Sequence, residues 1–183
     1  MQLIIAEKPS VARDLARVLG VRPAGQHAFE GEACVITWCV GHLVELEEPA
    51  AYDGRWKAWR LDSLPMVPGA FRLRAAKHAA PQLRAVVRLL GERRFTSVVN
   101  ACDAGREGEL IFRYVVQFAG KSPPVRRLWI SSLTDDAIRR GFAALRPGRE
   151  LDALGDAARS RSEADWLVGM NATRAITARG REA

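Results

Sequence analysis

Short apolar runs alternate with segments of helical periodicity along most of the chain, and this alternation limits the possible folds more than any other feature. Runs of strand length and apolar character occupy 2–6, 33–40, 96–100 and 127–130. Apolar residues recur at helical spacing in the four segments 9–20, 79–92, 107–118 and 134–145. Strands that alternate with helices form a parallel or mixed sheet covered on both faces. We therefore predict an α/β fold with a central parallel sheet flanked by helices.

Two stretches of the chain do not follow the alternation. Residues 42–74 are interrupted by prolines and contain Trp56 and Trp59, which favours a long structured excursion rather than a linker. A second stretch with a helical pattern follows the turn sequence Arg-Pro-Gly that ends at Gly148. We therefore place a boundary after residue 148 and predict a C-terminal helical extension over 149–183.

Two of the apolar runs end in acidic residues. The first run leads directly into Glu7, and the run at 96–100 is followed by Asp103 and then by Glu107 at the start of a helix. Because ligands of open α/β sheets bind beyond the carboxyl ends of the strands, these carboxylates are candidates for one site. Carboxylates without histidine or cysteine suit a hard divalent ion, and Mg2+ is the obvious candidate. Two alternatives stay open: Asp103 and Glu107 stabilise a helix dipole, and Glu7 is a solvated residue at a strand end.

The charge balance favours a polyanionic partner. The chain has 28 basic and 21 acidic residues, a net charge of +7, and 24 of the basic residues are arginine. Arginine binds phosphate in a bidentate manner, so nucleic acid is a candidate partner, although an arginine-rich solvated surface explains the same composition.

The cysteines and tryptophans predict which side chains lie in the core, and the cysteines and the N-terminal run also predict the cellular compartment. The cysteines form no zinc-ligand pattern, and we expect all three in the core of a protein from a reducing compartment: Cys34, Cys39 and Cys102. The apolar N-terminal run is too short for a signal peptide or a membrane span, so we expect a soluble cytoplasmic protein. We also expect three tryptophans to anchor the core: Trp56, Trp59 and Trp129.

Several sequence strings resemble the type IA DNA topoisomerases, and topoisomerase III in particular. The string Asp-Ala-Gly-Arg-Glu-Gly-Glu at 103–109 follows a predicted strand, opens a helix and is similar to the second motif of the Toprim domain. The string Ile-Ile-Ala-Glu-Lys-Pro-Ser that begins at Ile4 resembles its first motif. The strings that begin at Val40, Trp56 and Leu128 also fit this subfamily. Their order and spacing together make the resemblance specific.

The resemblance also assigns the two parts of the chain. It implies that 1–148 is a Toprim domain with a Rossmann-like sheet. The segment from Arg161 resembles the helix that opens the next domain, so 149–183 would be the truncated start of the helical DNA-binding domain. The chain departs from the family pattern Asp-x-Asp-x-Glu at Gly105, which removes one carboxylate and predicts weak Mg2+ binding.

The resemblance implies Mg2+-dependent, ATP-independent cleavage and rejoining of one DNA strand through a 5′-phosphotyrosine link. Glu7 would be a metal ligand and a possible proton donor to the leaving 3′-oxygen, and Lys8 would neutralise phosphate charge. Glu7 would hold Mg2+ together with Asp103 and Glu107. The residues expected to contact single-stranded DNA are His42, Arg127, Arg161, Asp165 and Arg174. The alternatives are a surface lysine at position 8, a structural histidine at position 42, and an ordinary helix-surface pair of Arg161 with Asp165.

The nucleophile of such an enzyme is missing from this sequence. Only Tyr52 and Tyr114 are present, and neither lies in a string like the tyrosine motif of the family. Tyr114 falls on the apolar stripe of a predicted helix and should be buried. The chain alone is therefore expected to be inactive and to need the missing C-terminal topoisomerase domains. A stand-alone nucleic-acid-binding module and a Toprim nuclease or primase-like protein remain alternative functions.

Overall fold

The computed structural model describes residues 1–182, with side chains through Gly180, so Ala183 at the end of the predicted extension lies outside the described residues. The strands are β1 (Gln2–Ala6), β2 (Arg22–Pro23), β3 (Phe29–Glu30), β4 (Cys34–Trp38), β5 (Val44–Leu46), β6 (Leu73–Ala75), β7 (Ser97–Ala101), β8 (Val125–Arg127) and β9 (Arg146–Pro147). The helices are α1 (Pro9–Leu19), α2 (Pro49–Tyr52), α3 (Ala80–Leu90), α4 (Arg106–Ala119), α5 (Asp135–Ala143) and α6 (Asp152–Glu182).

The central sheet contains seven strands in the order β2-β3-β4-β1-β7-β8-β9. Its four middle strands, β4, β1, β7 and β8, run parallel, whereas β2, β3 and β9 pair antiparallel at the edges. Ala6 at the end of β1 stands opposite Trp38 of β4 and Ala101 of β7. The residues that follow these three strands therefore emerge at the same edge of the sheet.

Both faces of the sheet are covered, as a parallel sheet requires. Leu3 and Ile5 of β1 belong to one core cluster, which includes apolar residues of α3 and α4. Ile4 and Ala6 belong to a second cluster, which includes residues of α1 and α5. Successive strand residues face opposite sides, so each short apolar run fills two cores. The predicted α/β fold with its C-terminal helical extension is confirmed.

The ends of several helices follow from their sequences. Pro9 starts α1, where its missing amide is not needed, and Gly20 ends the helix with a φ of 68°. Thr134 precedes α5, and its Oγ1 accepts a hydrogen bond from the Ala137 amide at 3.4 Å.

The excursion between β4 and α3 is structured and packs against α6. Its strands β5 and β6 form a separate antiparallel pair. The Trp166 indole of α6 donates to the Glu47 carbonyl at 2.9 Å, and the Asn171 side chain bonds to both backbone groups of Met66. Tyr52 and Phe71 pack edge-on against Trp166, with ring centroids 5.6 and 5.5 Å away.

The structure differs from the sequence prediction in two places. The predicted strand at 127–130 is displaced, because β8 covers Val125–Arg127 and the chain leaves the sheet after Arg127. Trp56 is buried as expected, but Trp59 and Trp129 are exposed. Arginine guanidinium groups lie over both exposed rings, which offsets part of the cost of leaving them at the surface. All three cysteines are buried and unpaired, as predicted. None of the helices within residues 1–182 has the length and apolar character needed to cross a bilayer.

Candidate metal and nucleic-acid site

Glu7, Lys8 and Asp103 meet at the carboxyl edge of the central sheet. The Lys8 Nζ atom lies 3.3 Å from Glu7 Oε1 and 3.6 Å from Asp103 Oδ2. The backbone amide of Asp103 also donates to Glu7 Oε2 at 3.2 Å. The hydrogen bond to Glu7, and then the charges of Glu7 and Asp103, raise the pKa of Lys8 above its ordinary value. The ammonium group therefore stays charged between two carboxylates.

Glu107 faces a different partner. Its Oε1 atom lies 3.2 Å from Nε2 of His42, and both side chains are accessible to solvent. His42 follows Gly41, whose φ of 76° turns the chain out of the sheet toward the start of α4. We call the carboxyl edge of the sheet, with Glu7, Asp103 and Glu107, the acidic edge. The structure thus brings His42 to this edge, next to the predicted metal ligand Glu107.

The carboxylates suit a hard cation by type but do not form an assembled metal site. Within residues 1–182, no three His, Cys, Asp or Glu side chains are arranged to hold a metal ion. Two carboxylates converge on Lys8, the third pairs with His42, and Gly105 contributes no ligand. The three carboxylates could hold Mg2+ together only if the Glu107 side chain leaves His42.

Gly108 allows α4 to begin directly beside Asp103. A Cβ atom at this position would collide with the carbonyl oxygen of Asp103 and come within 2.9 Å of its amide nitrogen. Both contacts are with backbone atoms, so neither could be relieved by a change of rotamer. The glycine is therefore a structural requirement of the acidic edge.

Arg127 was predicted to contact DNA, but the structure places it in the interior, with 1% of its surface exposed. Its guanidinium donates at 2.7–3.0 Å to four backbone carbonyl oxygens, those of Asn100, Cys102, Asp103 and Leu128. Arg127 thus supports the backbone that carries Asp103, and its hydrogen-bond donors face the protein interior.

Glu109 is the buried counter-charge of Arg127. Its Oε1 lies 2.7 Å from Arg127 Nε, close enough for an ion pair although the nitrogen makes no regular hydrogen bond. Oε1 also accepts from the Asn100 side chain, and Oε2 accepts from Arg113, whose guanidinium reaches Asp152 in the first turn of α6. Sequence reasoning missed this network. The available signal was a carboxylate at position 109, next to the apolar stripe of the predicted helix.

The remaining predicted DNA-contact residues lie along α6. Arg161 and Asp165 are exposed and their side chains approach to 3.5 Å, one turn apart. Arg174 is buried against Trp59. A cavity of about 320 Å³ is bounded by His42 on one side and by Ser162 and Trp166 of α6 on the other. The near end of α6 is thus a neighbour of the acidic edge.

Comparisons with known proteins agree with this architecture. The sequence model of one family, described as the Toprim domain, matches residues 2–133. The chain belongs to the Toprim domain family. The predicted resemblance to the Toprim domain is thereby confirmed, and the acidic edge lies within the matched residues.

Relatives of this Toprim domain extend the similarity to α6. The chain is 48% identical over 177 residues to "DNA topoisomerase 3" of Bacillus cereus strain ATCC 10987, and 46% identical over 175 residues to "DNA topoisomerase 3" of Bacillus subtilis strain 168. These alignments cover 97% and 96% of the chain but 24% of each relative. The chain therefore spans about a quarter of the length of the curated relatives it matches.

A solved structure supports the fold. The full-length topoisomerase I from Thermotoga maritima matches 79% of this chain and 21% of its own, with a TM-score of 0.50 and 17% identity. At this level of identity the similarity shows the fold alone.

Proposed function

We propose that this chain is the metal- and DNA-binding part of a type IA topoisomerase active site, which cleaves and rejoins one DNA strand without ATP. The observation that carries the proposal is the meeting of Glu7, Lys8 and Asp103 at the carboxyl edge of a Toprim sheet. The relatives named DNA topoisomerase 3, which match nearly the whole chain, add support from sequence.

Each side chain of the acidic edge has a proposed role. Lys8, with its raised pKa, would offset phosphate charge as it builds in the transition state. Glu7 would stand beside the scissile phosphate and, in its protonated form, could donate a proton to the leaving 3′-oxygen. Glu7, Asp103 and Glu107 would hold Mg2+, which when bound would further neutralise the phosphate. His42, beside Glu107, would contact DNA at this edge.

Other residues would act at a distance from the reacting atoms. Arg161, Asp165 and Arg174 on α6 would bind single-stranded DNA. Arg127 would position Asp103 through the backbone rather than touch DNA. We keep the assignment of 149–183 as the start of the helical DNA-binding domain and expect the protein to act in the cytoplasm.

The nucleophilic tyrosine would be supplied by the domains that the longer relatives possess. Burial raises the pKa of Tyr114, whose side chain is 3% exposed, and its hydroxyl faces the interior. Tyr52 is packed among aromatic rings, and its hydroxyl bonds to the backbone of Arg72. Neither phenol is free to attack a phosphodiester in line, so we propose that the chain alone neither relaxes DNA nor forms a covalent adduct.

A chimera tests the proposal directly. This chain would replace the matching quarter of the Bacillus subtilis relative, and relaxation of negatively supercoiled plasmid would be measured with and without Mg2+. We expect Mg2+-dependent relaxation by the chimera and none by the chain alone. Glu7→Gln should lower the rate about 100-fold or more, as expected for loss of a general acid and metal ligand.

Glu32→Gln serves as the matched control, because Glu32 is an exposed carboxylate on the loop before β4. Full activity of the Glu7→Gln chimera would contradict the assigned role of Glu7. Protein-linked nicking by the chain alone, abolished by Tyr52→Phe, would mean that the nucleophile had been misplaced.

A further inference from the structure

Arg113 of α4 joins two carboxylates that belong to different parts of the molecule. Its Nε donates to Glu109 Oε2 at 3.0 Å, and its Nη2 donates to Asp152 Oδ1, also at 3.0 Å. Glu109 lies one turn earlier on α4 with 3% of its side chain exposed, whereas Asp152 begins α6 and is 61% exposed. One guanidinium group therefore connects a buried carboxylate beside the sheet to the first turn of α6.

Glu109 extends this connection to the acidic edge along two routes. Its Oε1 lies 2.7 Å from Arg127 Nε. The Arg127 guanidinium in turn donates to the carbonyl oxygens of Cys102 and Asp103. The same Oε1 accepts a hydrogen bond from Asn100 Nδ2, and Asn100 Oδ1 accepts one from the Cys102 amide. Both routes end on the backbone of 102–103, which presents the Asp103 carboxylate.

Gly155 of α6 leaves room for the Arg113 side chain. A Cβ atom at this glycine would lie 2.2 Å from Arg113 Nε and 2.5 Å from its Cζ. A larger residue would have to displace the guanidinium, which would break its hydrogen bonds to both carboxylates. A cavity of about 590 Å³ adjoins Glu109, Arg113 and Gly155, so the surrounding elements are not closely packed there. At this turn, α6 therefore approaches α4 through the Arg113 side chain.

We propose that Arg113 is a positioning residue of the acidic edge. It fixes Glu109 against the first turn of α6, and Glu109 in turn fixes the backbone that presents Asp103. The start of α6 and the acidic edge thereby keep a fixed relation. The inference rests on the proposed function, because positioning matters for the reaction only if the acidic edge binds Mg2+. Groups that orient a metal ligand typically change metal affinity or activity about 10–100-fold.

Amide hydrogen exchange of the 183-residue chain, followed by NMR, tests the connection without Mg2+ or DNA. The Cys102 amide is the reporter, because the residue is buried and its amide bonds to the Asn100 side chain. Arg113→Ala should release Glu109 and with it Asn100. Exchange of the Cys102 amide should then be about 10-fold faster, which corresponds to the loss of roughly one hydrogen bond.

Arg17→Ala is the matched control for this measurement. Arg17 also joins two helices, α1 and α5, because its guanidinium pairs with Asp135 at 2.9 Å, but it belongs to neither route. Its replacement should leave the Cys102 amide unchanged. In Arg113→Ala the faster exchange should be confined to 100–103. Equal acceleration in all strands would indicate a general loss of stability, and either that result or no acceleration at all overturns the inference.

Gly155→Ala disturbs the same contact from α6. The added methyl group should displace the Arg113 guanidinium, so the Cys102 amide should exchange faster, as in Arg113→Ala. In the Arg113→Ala background there is no guanidinium to displace, so Gly155→Ala should have no further effect. Additive effects of the two substitutions would show that they act independently and would overturn the inference.

The Mg2+ requirement of the chimera separates this inference from the proposed function. In Arg113→Ala, the Mg2+ concentration for half-maximal relaxation should rise about 10-fold. Arg113→Lys should restore part of the loss, because it keeps a cation beside Glu109 but cannot bridge two carboxylates as a guanidinium does. An unchanged Mg2+ requirement in an active Arg113→Ala chimera overturns the positioning role and leaves the proposed function intact. A chimera that relaxes no DNA overturns both.

Discussion

Single residues stabilise the backbone of the acidic edge, and Arg127 does so through several hydrogen bonds and an ion pair. One guanidinium group donates to four carbonyl oxygens at the ends of β7 and β8, and it forms an ion pair with the carboxylate of Glu109. Burial lowers the pKa of Arg127, since charge is costly in the interior. The pKa remains far above neutrality in any protein environment, so the charge must be compensated by Glu109.

The single-residue prediction concerns this ion pair. Arg127→Met should lower the free energy of unfolding by about 3–5 kcal/mol, because it leaves the buried Glu109 carboxylate with only the partly exposed Arg113 as a charged partner and removes the donors to four carbonyl oxygens. Arg127→Met combined with Glu109→Gln should lose clearly less than the sum of the two single variants, since the loss of the Arg127–Glu109 ion pair is then counted once. Urea unfolding followed by circular dichroism measures both. Additive losses would show that the two residues do not depend on each other.

At the scale of elements, the junction between β7 and α4 positions the carboxylates. Asp103 leaves β7, and α4 begins at Arg106 with Glu107 in its first turn, so both carboxylates depend on how closely the helix approaches the strand end. Gly108 sets that distance, because its α-carbon faces the backbone of Asp103.

Gly108→Ala is therefore expected to disturb both stability and the site. The added methyl group must push α4 away from Asp103, which should cost about 1–3 kcal/mol and lower Mg2+-dependent activity in the chimera. Gly169→Ala is the matched control in the interior of α6, where an added Cβ meets no atom within 4 Å. It should be neutral or stabilise the chain by about 0.5–1 kcal/mol. The midpoint of urea unfolding reports both changes, and equal effects of the two variants would contradict the role of Gly108.

At the scale of the whole molecule, the sheet separates two cores that each contain cysteine. Cys34 belongs to the cluster with α1, and Cys39 and Cys102 belong to the cluster with α3 and α4. Burial raises the pKa of Cys34, and the nearby Cys39 thiol together with burial raises the pKa of Cys102. A thiol reacts as the thiolate, so these groups are protected by both enclosure and protonation.

Thiol labelling should therefore report opening of both cores. With Ellman's reagent at neutral pH, the native chain should show no rapidly reacting thiol, and the chain in denaturant should show all three. Because a higher pH increases the thiolate fraction, slow labelling of the native chain should accelerate as pH rises. Rapid reaction of one thiol in the native state would indicate that one face of the sheet opens on its own.

The amino-acid sequence alone determined the order of elements and the position of the main carboxylates. Apolar runs of five residues suit strands buried on both faces, and parallel pairing of β1 with β7 requires that Glu7 and Asp103 emerge at one edge. The strings around these residues were enough to identify the Toprim family. The spacing of apolar residues predicted the strands and helices, because that spacing follows from the repeat of each element and from which of its faces is buried. Both can be recognised from residues that are near one another in the sequence.

The tertiary structure alone decided the partners of individual side chains. Lys8 stands between Glu7 and Asp103, Glu107 turns to His42, and Arg127 is enclosed rather than open to DNA. Trp59 is partly exposed, and α6 brings Arg174 over its ring although the two residues are far apart in sequence. Such contacts depend on how helices and loops pack across the sheet. Motif spacing carries no information on packing. It predicts where a residue lies on a strand or a helix, but not which residue from a distant part of the sequence its side chain contacts.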